Sequence, residues 1–102
     1  MSLRPVWTIQ ADNTFGALLG YIRHEWGVTA ARSFHEEVEH TVDLLVVFPE
    51  GGILERAELG IRSIPVARQV RLFYRVADDQ LIILDFVDVR TQRFQRTRGN
   101  PP

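Results

Sequence analysis

The sequence predicts a single α+β domain: a helical hairpin packed on one face of a curved antiparallel sheet, in the order β-α-α-β-β-β. Three observations lead there. Apolar residues recur at helical spacing through the first half of the chain. After Gly60 they recur at strand spacing instead. The 102 residues suffice for one core and not for two. An apolar share of 45% and a charged share of 25% then place the chain among soluble globular proteins, not disordered or membrane-spanning ones.

Taken in order, Val6, Trp7, Thr8 and Ile9 form a β-prone run after Pro5, read as a first strand. Asp12 or Asn13 offers a side-chain acceptor for the free N–H groups at a helix start. Phe15, Leu18, Leu19, Ile22 and Trp26 follow on one helical face. Gly27 closes this helix, and Thr29 can cap the next. On the second helix Ala31, Phe34, Val38, Thr41, Val42, Leu45 and Phe48 share a face, with Arg32, Glu36, Glu37, Glu39 and Asp43 opposite. Pro49 and the pair Gly51-Gly52 stop it. A connection of about three residues makes the two helices an antiparallel hairpin.

Residues 61–66 read as a strand that Pro65 places at a sheet edge. In residues 70–76, Val70, Leu72, Tyr74 and Val76 fall on one side, with Arg71, Phe73 and Arg75 on the other. Asp78-Asp79 makes a turn into residues 81–89, the most apolar strand. Residues 91–102 form a polar, basic C-terminal tail of the same domain.

Charge is divided unevenly. Residues 1–61 hold four arginines against nine acids, a net of −5, whereas residues 62–102 hold eight against four, a net of +4. The second half therefore suits an anionic partner. Every basic residue is arginine, which grips phosphate or carboxylate through a planar fork. The absence of cysteine excludes disulfides, thiolate catalysis and cysteine-ligated zinc. The start lacks the apolar stretch of a secretory signal, and no apolar run is long enough to span a bilayer, so a cytoplasmic protein is expected.

Histidines do not make a metal site. His35 and His40 are five apart, about 140° around a helix, whereas zinc-binding pairs need a spacing of four. Gly51-Gly52 has no lysine of a phosphate loop, and Ser33 and Ser63 have no nucleophile-elbow context. Tyr21 and Tyr74 read as core residues with bonded hydroxyls, and Trp7 and Trp26 as packing residues. The arginines carry the functional signal. Arg71 and Arg75 project from the concave face with Phe73 between them, and Arg62 and Arg90 can converge there. Arginines beside an exposed aromatic suit RNA; alternatively they pair with Asp85 and Asp88 and keep the face soluble.

Several local pieces, in order, carry a family resemblance. They are Tyr21-Ile22 before Trp26-Gly27, Ala30-Ala31 with Phe34, and Phe48-Pro49 followed by Gly51. Arg71-Leu72-Phe73-Tyr74-Arg75-Val76, an acidic turn, Ile82-Ile83-Leu84 and Asp88-Val89-Arg90 complete it. Over residues 6–93 the chain resembles the RelE/ParE superfamily of toxins, also known as plasmid stabilisation proteins. The resemblance implies the toxin half of a type II toxin–antitoxin pair, without cofactor or membrane attachment. It also implies restraint by a cognate antitoxin, as a homodimer or a toxin–antitoxin hetero-oligomer.

Two branches divide the activity. RelE-like members cut messenger RNA in the ribosome, which needs a base for the 2′-OH, a cation for the phosphate and an acid for the leaving oxygen. By resemblance Arg71 would grip the scissile phosphate, with Arg62 and Arg90 as further basic residues. Phe73, Arg75, Arg93 and Phe94 would bind. ParE-like members bind and inhibit DNA gyrase without that chemistry. This sequence lacks lysine, and the aromatic after Arg90 is Phe94, not tyrosine or histidine. Arginine stays protonated and serves poorly as a base. Gyrase inhibition is therefore favoured; the alternatives are the messenger endonuclease and a decayed member that keeps only antitoxin binding.

Overall fold

The computed structural model describes residues 2–89; Arg90, Arg93, Phe94 and the basic tail lie outside them. The elements are β1 (Arg4–Trp7), α1 (Ile9–Trp26), α2 (Val28–Leu45), β2 (Ile53–Arg56), β3 (Ile61–Ala67), β4 (Val70–Ala77) and β5 (Gln80–Asp88). Short 3-10 turns at Pro49–Gly51 and Ala57–Leu59 flank β2. The sheet order is β1-β5-β4-β3-β2. Two helices packed on this sheet make the α+β domain the sequence predicts. The sheet is mixed, because β1 runs parallel to β5 while every other pair is antiparallel.

Besides the parallel β1, where an antiparallel sheet was expected, two features of the sheet differ from expectation. β2 is an additional strand of four residues, all exposed, whose Ile-Leu-Glu-Arg run is too short and too polar to show a period. It makes β3 an interior strand. Pro65 is accommodated because β2 starts opposite Ser63 and leaves the flank beside Pro65 without a neighbour strand, and because the register slips between Pro65 and Ala67.

The first helix starts earlier than Asp12 or Asn13. Thr8, in extended conformation, accepts from the Ala11 N–H, and the helix begins at Ile9. Pairing with β5 decides this. The Thr8 N–H donates to Ile83 O at 3.1 Å and its hydroxyl to Leu84 O at 3.1 Å, so one residue ends the strand and caps the helix. Gly27 alone joins α1 to α2, at a φ of 96° that L side chains rarely adopt, and Thr29 lies inside α2.

The helices contribute unequally to the core. α2 buries Ala31, Phe34, Val38, Thr41, Val42 and Leu45, whereas α1 buries only Ala11 and packs Phe15, Leu18, Leu19 and Ile22 partly against it. Trp7 meets Phe15 and Phe86 with ring centroids 5.4 and 5.2 Å apart. Trp26 and Tyr21 are exposed instead, edge to face with each other. Phe48 is exposed too, because α2 ends at Leu45 and the chain turns away.

From the sheet come Val66, Val70, Leu72, Tyr74, Leu81, Ile83 and Phe86. The alternation in β5 shifts by one residue between Ile83 and Phe86, because two residues, Leu84 and Asp85, occupy the space opposite Phe73. The Phe86 N–H, at this bulge, is received by the Thr14 hydroxyl of α1 at 3.2 Å and by its neighbour Asp85. No described helix is long and apolar enough to cross a membrane.

Candidate functional site

Residues directly opposite on neighbouring strands share a face of the sheet. The register therefore assigns each candidate side chain. Ser63 lies opposite Phe73, Phe73 opposite Asp85, Arg71 opposite Val87 and Arg75 opposite Ile82. These residues make the open face, away from the helices. Arg71, Phe73 and Arg75 thus lie together as the alternation of β4 predicts, each half-buried.

Arg62 does not join them. It lies opposite Tyr74, a fully buried core residue, and so belongs to the helix-covered face. Its Nη1 donates to Gly52 O at 2.8 Å. The expected convergence of Arg62 with Arg71 is therefore corrected: β3 runs one residue out of the phase that convergence requires. Arg90, Arg93 and Phe94 fall outside the described residues, so the open face comprises Arg71, Phe73 and Arg75 of the candidates.

What holds Arg71 was not anticipated. Its Nε donates to Ser63 Oγ at 2.9 Å and its Nη2 to Ser63 O at 3.3 Å. Ser63 Oγ in turn donates to Glu55 Oε2 at 2.5 Å. A chain of carboxylate, hydroxyl and guanidinium thus crosses β2, β3 and β4 on the open face. Ser63 is wholly buried beneath it. Neither Ser63 nor Glu55 was signalled by the sequence: Ser63 comes diagonal to Arg71 only through the register of β3 against β4, and β2 itself was not legible.

Asp85 does not neutralise the strand arginines. Its Oδ1 accepts from the Phe86 N–H at 2.8 Å, and Gln10 reaches its Oδ2 at 3.5 Å. The Arg75 guanidinium has no hydrogen-bond or ion-pair partner among the described residues.

On the covered face a second polar group mirrors the first. The Tyr74 hydroxyl donates to Pro49 O at 2.7 Å and accepts from the Gly52 N–H at 2.9 Å. Burial pushes its pKa above the ordinary tyrosine value, with Glu50 adding and the Gly52 N–H and Arg62 opposing. Gly52 has no room for a side chain. A Cβ there would sit 2.7 Å from Ser63 O and 2.7 Å from the Tyr74 hydroxyl.

The domain is thus a two-helix hairpin on a mixed five-stranded sheet, with arginines on the uncovered face. The family model described as "ParE toxin of type II toxin-antitoxin system, parDE" matches residues 6–96. The chain belongs to this ParE toxin family.

Solved structures agree on the fold. A chain of the chromosomal ParDE toxin–antitoxin system from P. aeruginosa superposes with a TM-score of 0.72 at 20% identity, covering 86% of this chain and 97% of that one. A chain of the RelBE2 toxin–antitoxin complex from Mycobacterium tuberculosis gives 0.61 at 23% identity, covering 86% and 99%. The YoeB/ParE toxin from Agrobacterium tumefaciens gives 0.61 at 15%, covering 82% and 95%. Comparison with curated protein sequences gives no match.

Proposed function

We propose that this chain is a growth-inhibiting toxin restrained by a cognate antitoxin, and that it acts by binding DNA gyrase without cutting RNA. One observation carries the reading: Arg62 and Arg71 lie on opposite faces of the sheet, each held by its own partner. The ribonuclease alternative asks both to grip one phosphate. The cations that β4 presents on the open face are Arg71 and Arg75, and neither can act as a base.

Protein partners also suit the remaining surface. Exposed apolar side chains such as Trp26, Val28, Val47, Phe48, Ile53 and Leu54 are ones that a wrapping antitoxin would cover. Two of the structures named above come from toxin–antitoxin pairs, which supports the same partner here.

The test is induced expression with and without the neighbouring reading frame, mapping message 5′ ends after growth stops and assaying supercoiling by gyrase. Arrest with intact messages and blocked supercoiling is expected, with rescue by the neighbouring gene. New 5′ ends within translated codons, lost in Arg71→Ala, would replace this reading with the endonuclease. No arrest at all would leave a domain that keeps only antitoxin binding.

A further inference from the structure

The buried hydroxyl of Ser63 joins two opposite charges that make no ion pair with each other. Chemistry dictates its direction. A guanidinium has only donors and an ionised carboxylate only acceptors, so Ser63 gives its proton to Glu55 and receives the Arg71 Nε–H. The 2.5 Å separation of Ser63 Oγ and Glu55 Oε2 is at the short end of charge-assisted bonds.

The three members are not equally fixed. Ser63 is buried and Arg71 stands on an interior strand, half-buried. Glu55 is exposed on the short edge strand β2, at the slip in register between Leu54 and Arg56. It is the member that can leave. Once it does, the Ser63 O–H points at the vacated position, with the Arg71 guanidinium bonded to the same serine behind it and Arg75 four residues further along the chain on the same face.

We propose that the Ser63 hydroxyl, backed by the Arg71 guanidinium that donates to it, forms a carboxylate-binding site that Glu55 fills in the free chain, and that an acidic side chain of a protein partner displaces it. A carboxylate is favoured over a phosphate because the present occupant is one. The surroundings agree, since Ile53 opposite Ser63, Phe73, and Val87 opposite Arg71 form apolar walls that match a peptide. The inference rests on reading the open face as a protein-binding surface. Its consequence is a built-in competitor: the partner's apparent affinity is lowered by the fraction of chains in which Glu55 occupies the site. Its release also unfastens β2 from the open face.

The experiment titrates the full chain with a hexaglutamate peptide and follows the Arg71 side-chain N–H resonance. Glu55→Gln weakens the competitor and is expected to tighten binding roughly tenfold, with Glu55→Ala gaining at least as much. Glu58→Gln makes the same change of charge on the adjacent turn and controls for long-range attraction, with an expected gain below about twofold. Adding Arg71→Gln to Glu55→Gln abolishes the gain. The proposal is overturned if Glu55→Gln gains no more than Glu58→Gln. It is equally overturned if the gain appears with hexauridylate and not with hexaglutamate, which would assign the site to nucleic acid. Since this readout does not involve gyrase or growth, failure of the gyrase reading leaves it standing, and its own failure leaves the gyrase reading untouched.

Discussion

Residues 49–56 are fastened to the sheet from both of its sides, and the two fastenings are chemically unlike. On the helix-covered side the Tyr74 hydroxyl and Arg62 hold Pro49 O and both backbone groups of Gly52. On the open side the Ser63 hydroxyl, itself held by Arg71, holds the carboxylate of Glu55. The first fastening is largely buried and grips backbone, which no ligand can replace. The second grips an exposed side chain, which a ligand carboxylate can imitate. Their difference separates what keeps the edge of the sheet in place from what is available to a partner.

The largest effect should come from Gly52→Ala. Its Cβ would press on Ser63 O and the Tyr74 hydroxyl together, and overpacking at a rigid site costs about 3 kcal/mol. Urea unfolding should show that loss; a change under about 1 kcal/mol would mean that this corner yields easily and that the contrast between the two sides is weaker than argued.

Tyr74→Phe follows in size. It strands the buried Gly52 N–H and Pro49 O, a loss of about 2 kcal/mol near neutral pH. The sign of its pH dependence is fixed by the raised pKa. The folded chain holds the phenolic proton to higher pH than the unfolded chain does. Stability is therefore intact below the ordinary value of about 10 and falls as pH rises through the folded value. The gap between the natural chain and Tyr74→Phe should accordingly narrow above about pH 10. A gap that stays constant would show that the hydroxyl is not held protonated by burial.

Ser63→Ala should cost less, about 1 kcal/mol, because both charged groups it frees can reach water. Its sharper signature is a loss of order in the Arg71 side chain by NMR relaxation, with the Tyr74 side unchanged. If instead Ser63→Ala costs as much as Gly52→Ala, the open-face chain is structural and not a ligand site. Arg56→Ala should have the smallest effect, about 0.5 kcal/mol or less, since its pair with Glu58 is largely exposed. A larger loss in thermal melting would mean that β2 depends on its own charges more than on either fastening.

The helices were legible because each turns one apolar stripe toward the core through a dozen or more residues, long enough for a period to emerge. β4 was legible for the same reason, and its alternation placed Arg71, Phe73 and Arg75 on one face. Other features were not legible. Four residues cannot display a strand period, so β2 and with it Glu55 escaped notice. Asp12 and Asn13 are good caps by residue type, yet Thr8 takes the position because β1 pairs with β5 up to that residue. Arg62 was misplaced because its own strand gives no sign of which neighbour it meets, or in which register.

By itself the sequence determined the α+β class, the helical hairpin, the two-residue turn at Asp78-Asp79 and the arginine face of β4. These follow from local spacing, which the chain carries in its covalent order. Only the tertiary structure decided that β1 runs parallel to β5, that Arg62 and Arg71 lie on opposite faces, and that Glu55 meets Ser63. Those facts depend on register between distant segments, where a shift of one residue exchanges the two faces of a strand while leaving its local pattern unchanged.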